Sequence, residues 1–307
     1  MNLRIFVTLT ILIGAASTGS LAQDKPDKLG KDWGTGPVAD SSFVIDLGAV
    51  TPEDVLLKSS AQGFAVWGRY GFSLRDKGQV VVFDLRKKEY VSSFKIEGNS
   101  SHCNNAVFGV EKFNRKSKFP LLYVSECVSP ERACNVTDIS LNGAKTVQKI
   151  IYTGKDIKFA QDWFVDRKGK FLYSYGMHDK CIRISKFRLP RLSDSDEEGR
   201  VYLDEDDVLS YFDTDKIRIA QGSFYNDGLI YLPEGTAGWF AQLNVLDAKT
   251  GDYLQSVSLE PIGMEPESLD IHGRWMYMQF NNIKDWRHTT VYRFRLKKSF
   301  KKNGDLK

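Results

Sequence analysis

From residue 42 onward the chain alternates short apolar runs with tight polar turns, and the alternation repeats. Five segments share one order: polar turn, short strand, turn, second strand, turn, third strand. The first begins at Gln62, runs through Phe64-Ala65-Val66-Trp67 and Gln79 to Leu85, and ends with Tyr90 to Ile96. The second begins at Asn104-Asn105 and continues through Leu121 to Val124, Asn135 to Leu141 and Val147 to Tyr152. The third begins at Gln161-Asp162, turns at Asp166-Arg167-Lys168-Gly169, and carries Phe171 to Tyr175 and Ile182 to Leu189. The fourth begins at Gln221 and turns at Asn226-Asp227-Gly228 and at Lys249-Thr250-Gly251-Asp252. The fifth begins at Gly263-Met264-Glu265-Pro266-Glu267, turns at Gly273-Arg274, and closes with Thr290 to Leu296.

The Gly-containing turns supply the positive φ angles that hairpins need. Strands such as Leu229 to Leu232 are nearly all apolar, as expected where neighbouring sheets cover both faces. Repeats of about 40 to 60 residues built this way predict an all-β fold, a β-propeller of five four-stranded blades. The fifth unit has three strands of its own, and Ser42 to Leu47 is a strand without a blade. The simplest arrangement makes that N-terminal strand the outer strand of the last blade, closing the ring. A pair of β-sandwiches is the alternative fold, but it does not explain five similar units.

The ends add a domain plan. Residues 1–22 read as a signal peptide: a short charged start, an apolar run from Ile5 to Ala16, and Ser20-Leu21-Ala22 as the cleavage signal. Residues 23–41 read as a linker, 42–300 as the propeller, and 301–307 as a basic tail. The expected protein is secreted or periplasmic, with no stable membrane insertion, working as a monomer. A formal net charge of +4 over 307 residues gives no argument for a nucleic-acid partner. Export permits disulfides, and Cys127 and Cys134 flank an expected hairpin tip where a bridge between them is within reach. Asn99-Ser100-Ser101 and Asn135-Val136-Thr137 match the glycosylation acceptor pattern.

In a propeller the starts of the first strands face the central channel. Here they bring Gln62, Asn104, Asn105, Gln161, Asp162, Gln221, Glu265 and Glu267 together. Carboxamides offer donors and acceptors suited to sugar hydroxyls or ordered water. The two glutamates are candidates to hold Ca²⁺, or to act as acid and base with Asp162 and His102. A purely structural ring that binds water is equally compatible with the pattern. Trp67, Arg69 and Tyr70 follow the first inner strand, and Trp239 and Trp286 lie in loops. Flat aromatics stack on sugars and Arg grips anions, but packing between blades also uses such residues. His178 is placed near the same face as His102, and His272 on the opposite one; no close His pair suggests zinc. Asp194-Ser195-Asp196-Glu197-Glu198-Gly199 with Glu205 has the spacing of a calcium loop, but Pro190 and strand-like flanks favour a solvated acidic linker.

At Glu265-Pro266-Glu267-Ser268-Leu269-Asp270 the chain resembles secreted propellers with a Glu-Pro-Glu-Gly signature, the phytase-like and teichoic-acid-depolymerase-like families. Ala220-Gln221-Gly222 through Gly251 is similar to the blade before that signature. The resemblance covers roughly the last third of the chain, and Ser268 stands in place of the Gly. It implies calcium and a phosphate- or sugar-rich polymer. The resulting expectation is an exported propeller that binds, with or without cleaving, a polysaccharide or other anionic extracellular polymer. The alternative is a non-catalytic scaffold or partner-binding propeller.

Overall fold

A computed structural model describes residues 36–297, apart from 56–58, 100, 128–130, 159–160, 219 and 237–239, and without the side chain of Gln161. The expected signal peptide and basic tail, and Trp239, lie outside the described residues.

The chain opens with β1 (Val38–Asp46) and a single helical turn, α1 (Leu47–Val50). Blade 1 is β2 (Ala61–Trp67), β3 (Tyr70–Arg75), β4 (Gln79–Asp84) and β5 (Glu89–Lys95). Blade 2 is β6 (Ala106–Phe108), β7 (Leu122–Ser125), β8 (Ala133–Ile139) and β9 (Ala144–Tyr152). Blade 3 is β10 (Gln161–Val165), β11 (Phe171–His178) and β12 (Cys181–Arg188); after an insert carrying β13 (Arg200–Leu203) it ends with β14 (Ser210–Thr214). Blade 4 is β15 (Phe224–Asn226), β16 (Leu229–Thr236), β17 (Phe240–Asp247) and β18 (Tyr253–Ser258). Blade 5 is β19 (Glu265–His272), β20 (Trp275–Asn281) and β21 (Thr290–Leu296), with β1 as its outer strand. The five-bladed propeller and its closure by the N-terminal strand are therefore as expected.

The closing strand starts four residues earlier than the expected boundary at Ser42, because its ladder with β21 runs out to Val38 opposite Leu296. There the Gln255 side chain, from blade 4, accepts from the Val38 N–H at 3.0 Å and donates to its carbonyl at 3.2 Å. The seam is thus tied to blade 4 as well as to its own blade.

The turns follow the sequence chemistry. Asp84 and Asp247 end the third strands of blades 1 and 4, and each carboxylate accepts backbone N–H groups of the next turn. Asp227 (φ 48°) and Gly228 (φ 81°) form the positive-φ pair of a two-residue hairpin. Apolar faces meet between blades: Phe72, Phe108 and Phe119 pack edge-on between blades 1 and 2, and Tyr173 stacks on Tyr225 between blades 3 and 4.

The acidic insert of blade 3 is not wholly solvated. Its strand β13 crosses to blade 2 and pairs in parallel with Lys149–Tyr152 of β9, making a fifth strand there. It covers an outer edge that would otherwise be open. Asp194, Asp196 and Glu205 spend their carboxylates on separate backbone N–H groups, so the calcium-loop spacing does not become a cage.

All four cysteines are free, which overturns the expected Cys127–Cys134 bridge. Cys134 pairs with Ser125 in the β7–β8 ladder, so Cys127 lies beyond the ladder's end and out of register with it. Both glycosylation-pattern asparagines are buried, and Asn135 Nδ2 donates to Asn99 Oδ1 at 3.1 Å. A glycan at either position is incompatible with this packing.

Candidate functional site

An inner strand of seven residues such as β2 is about 20 Å long, so its two ends lie on opposite faces of the ring. This separates the candidate residues. Gln62, Asn104, Asp162, Gln221, Glu265 and Glu267 belong to strand starts and converge on one face, here called the mouth. Trp67 and Arg69 sit at the other end of β2. Trp67 packs on Phe108 at 5.6 Å and the Arg69 Nε pairs with Asp84 at 2.7 Å, so neither lines the mouth. His272 also lies at the far end of its strand, where burial and Arg167 lower its pKa.

The floor of the mouth is Asn105. It is 0 % exposed, donates from Nδ2 to the carbonyls of Trp163 (3.0 Å) and Ser223 (2.8 Å), and accepts from Ser268 Oγ at 2.7 Å. One side chain from blade 2 thereby joins blades 3, 4 and 5 across the axis. Ser268, where the resembled signature has Gly, provides the third of these bonds. The backbones close in around this hub. A Cβ at Gly63 would lie 2.5 Å from the Cys103 carbonyl, and one at Gly222 would lie 2.6 Å from Ser268 Cβ. Asn105 is therefore a structural plug rather than a ligand-binding residue. Below it, Asp270 accepts from the Val66 N–H at 2.6 Å and pairs with Arg167, whose guanidinium also donates to the Ile271 carbonyl at 2.6 Å. Burial still pushes Asp270 up to about 6.

Above the plug, Asp162 is 1 % exposed, and burial pushes its carboxyl up to about 6. Its Oδ2 is shared by Asn104 Nδ2 and the Tyr175 hydroxyl, and its Oδ1 is buried. Tyr175 also contacts the Gln221 carbonyl. A phenol has one proton to give, and Tyr175 stands between two acceptors. A proton on Asp162 resolves the conflict: the carboxyl then donates to Tyr175, which donates to Gln221.

On the opposite side of the mouth Glu267 is 2 % exposed and accepts from Asn281 Nδ2 at 2.8 Å. Burial first, then the neighbouring charges of Glu265 and Asp76, hold its pKa well above the ordinary carboxylate value. Glu265 is half-buried, and burial raises it too; Gln221 Nε2 reaches it at 3.4 Å and donates to the Gly235 carbonyl at 3.0 Å. Gln62 donates to Ser60 Oγ at 2.9 Å. The rim carries His102, half-exposed and bonded through Nδ1 to Asp76; that bond, helped by the field of Asp162, raises its pKa.

Asp76, Tyr175 and Asn281 were not among the sequence candidates. They lie on second strands and their turns, where no first-strand reading looks. Among the described residues no three His, Cys, Asp or Glu side chains are arranged to hold a metal ion. Glu267 accepts from Asn281 and Glu265 is reached by Gln221, so each of the two glutamates already has a protein partner. Among the described residues no helix is long and apolar enough to cross a membrane.

The chain matches no described protein family and no curated protein sequence. Among solved structures it is similar to a glutaminyl cyclase of Myxococcus xanthus, with a TM-score of 0.53 and 10% identity over 83% of this chain and 96% of that one. It also matches hydrazine synthase of Kuenenia stuttgartiensis, at a TM-score of 0.40 and 13% identity over 70% of this chain and 60% of that one, too distant to carry an argument. The first likeness supports the five-bladed propeller fold seen here.

Proposed function

We propose that the mouth is an acid–base site that binds and cleaves a hydroxyl-rich extracellular chain, a carbohydrate polymer above all. The observation that carries this reading is the pair of buried carboxyl groups, Glu267 and Asp162, both pushed toward protonation beneath a rim of carboxamides. Acids tuned upward by burial are suited to giving and taking protons near neutral pH. Glu265 and His102, the more exposed members, meet the ligand; Glu267 stands behind them and holds a proton to give, while Asp162, ionised above about pH 6, is ready to take one. In hydrolysis, the leaving sugar oxygen takes a proton from the Glu265–Glu267 pair as the glycosidic bond breaks. The attacking water gives its proton to the His102–Asp162 side, and exchange with solvent restores both. Gln62, Asn104 and Gln221 orient hydroxyl groups.

The likeness to a glutaminyl cyclase favours a second reading, because the closing of a glutaminyl ring with loss of ammonia needs the same kind of proton exchange. One panel separates the two. Wild type, Glu267→Gln, Asp162→Asn and His102→Ala are assayed for binding and product release on glycans and on peptides with N-terminal glutamine. The expected result is new reducing ends from a glycan, reduced at least roughly a hundredfold in the carboxamide variants with binding retained. Ammonia release from the peptides instead would favour the cyclase reading. Neither binding nor product from any substrate would leave a scaffold and sink both.

A further inference from the structure

A second concavity opens beside the mouth, between blade 1 and the long loop of blade 5. Its volume is about 610 Å³, and its lining includes Asp76, Lys77, Ser93, Phe94, Lys95 and Trp286. That is the size of a ligand cleft. Asp76 belongs to both places: it faces this groove and bonds His102 at the rim of the mouth.

Three features mark the groove as built. First, the loop that carries Trp286 is pinned by a buried arginine. Arg75 donates to the carbonyls of Ser59 and Trp286 and to Thr289 Oγ1 at 3.0 Å, so Trp286 stays 49 % exposed at a fixed place. Second, Lys77 occupies the left-handed region (φ 58°), a conformation that favours Gly or Asn and is held here in a non-glycine residue. Third, Lys77 and Lys95 are exposed, and among the described residues neither ammonium has a carboxylate partner. Among the described residues the groove thus offers two unpaired cations, one exposed aromatic face and the Ser93 hydroxyl.

We infer that this groove is a subsite for an acidic sugar, a uronic-acid unit of the chain whose neighbouring units reach the mouth. The occupant rests on the polymer reading of the mouth. The exposed flat face of Trp286 suits a pyranose ring, and the ammoniums of Lys77 and Lys95 suit its carboxylate. The shared Asp76 sets the direction, since a second carboxylate placed at the mouth end would be repelled. The anionic unit therefore lies at the Lys95 end and an uncharged or esterified unit lies over the mouth.

The test is calorimetric titration of the full chain with a galacturonate oligomer carrying one free carboxylate among methyl-esterified units and with its fully esterified, uncharged form. Wild type is expected to bind the acidic oligomer roughly tenfold more tightly, the sum of two screened charge contacts. That preference fades with added salt. It vanishes in Lys77→Ala/Lys95→Ala, whose melting curve should not change because both side chains are exposed. Trp286→Ala weakens both ligands alike. Equal affinity for the two oligomers, no binding of either, or a preference that survives the double substitution would overturn the inference. Failure of the catalytic reading looks different: the charge preference holds, in wild type and in Glu267→Gln alike, while no glycan is cleaved. Cleavage of glycans without any charge preference would discard the groove alone.

Discussion

Asn105→Ala is expected to destabilise the propeller by about 3–5 kcal/mol, the range for breaking a buried polar network. Asn105 makes three hydrogen bonds, each to a different blade. Truncation removes the Asn105 partner of the Ser223 carbonyl and of the Ser268 hydroxyl, and leaves the Trp163 carbonyl with the Ser125 hydroxyl alone of its side-chain donors. Each stranded group costs about 1–3 kcal/mol. Against a total stability of about 5–15 kcal/mol this is a large share. Urea denaturation should show a lower midpoint with an unchanged slope. Asn105→Asp is expected to be worse, because it turns a carboxylate toward two carbonyl oxygens. Asn104→Ala should cost much less, since it frees the edge of the mouth and not the hub. A loss under about 1 kcal/mol for Asn105→Ala would mean that the blades hold together without the plug.

The second large effect is an inverted dependence of stability on pH. Burial raises Asp162 and Asp270 from 3.8 to about 6, and raises Glu267 further above its ordinary value. A carboxyl with a raised folded pKa binds its proton more tightly in the folded state. Its contribution is complete below the unfolded pKa and is lost as pH climbs to the folded one. For Asp162 that window is about pH 4 to 6, and the tighter hold on the proton corresponds to roughly 3 kcal/mol. For Glu267, raised by burial, the loss runs in the same direction. His102, raised by Asp76, acts in the same direction: its stabilisation is present below its unfolded pKa and fades above it. Asp84, Glu131 and Asp213 have lowered values and act the other way, but their contributions disappear only as pH falls below the ordinary carboxylate range. Melting temperature should therefore be higher at pH 5 than at pH 7.5. Glu267→Gln and Asp162→Asn should flatten that slope. A wild-type chain that gains stability from pH 5 to 7.5 would contradict the account.

Much of the fold could be read from the chain, and the reasons are local. Asp166 to Gly169, Asp227-Gly228 and Lys249 to Asp252 are turns whose chemistry allows little else. The strands between them are short and apolar, so the repeat was visible and the blades followed. The mouth was partly legible for the same reason, because the starts of inner strands must share a face. What stayed hidden depends on where blades meet. Trp67 and Arg69 are close to Gln62 in sequence yet a strand length away in space. Asn105 and Asn104 are neighbours of one type, but the pleat sends one across the axis and the other to Asp162. Asp76, Tyr175 and Asn281 reach the mouth from second strands, and the partner of Val201-Tyr202-Leu203 is an edge of another blade. The expected Cys127–Cys134 bridge fails because the regular β7–β8 register sets Cys134 opposite Ser125, two residues before Cys127.

The central claim is that the mouth stores protons on buried carboxyl groups at the pH where an acid–base site would work. The direct measurement is the infrared carbonyl stretch of protonated carboxyl groups, followed from pH 5 to pH 8 in wild type, Asp162→Asn and Glu267→Gln. The account predicts one buried carboxyl titrating near pH 6 that is missing in Asp162→Asn. It predicts a second, titrating well above the ordinary carboxylate range, that is missing in Glu267→Gln. If both groups are fully ionised by pH 5, with ordinary pKa values near 4, the acid–base account of the mouth is contradicted.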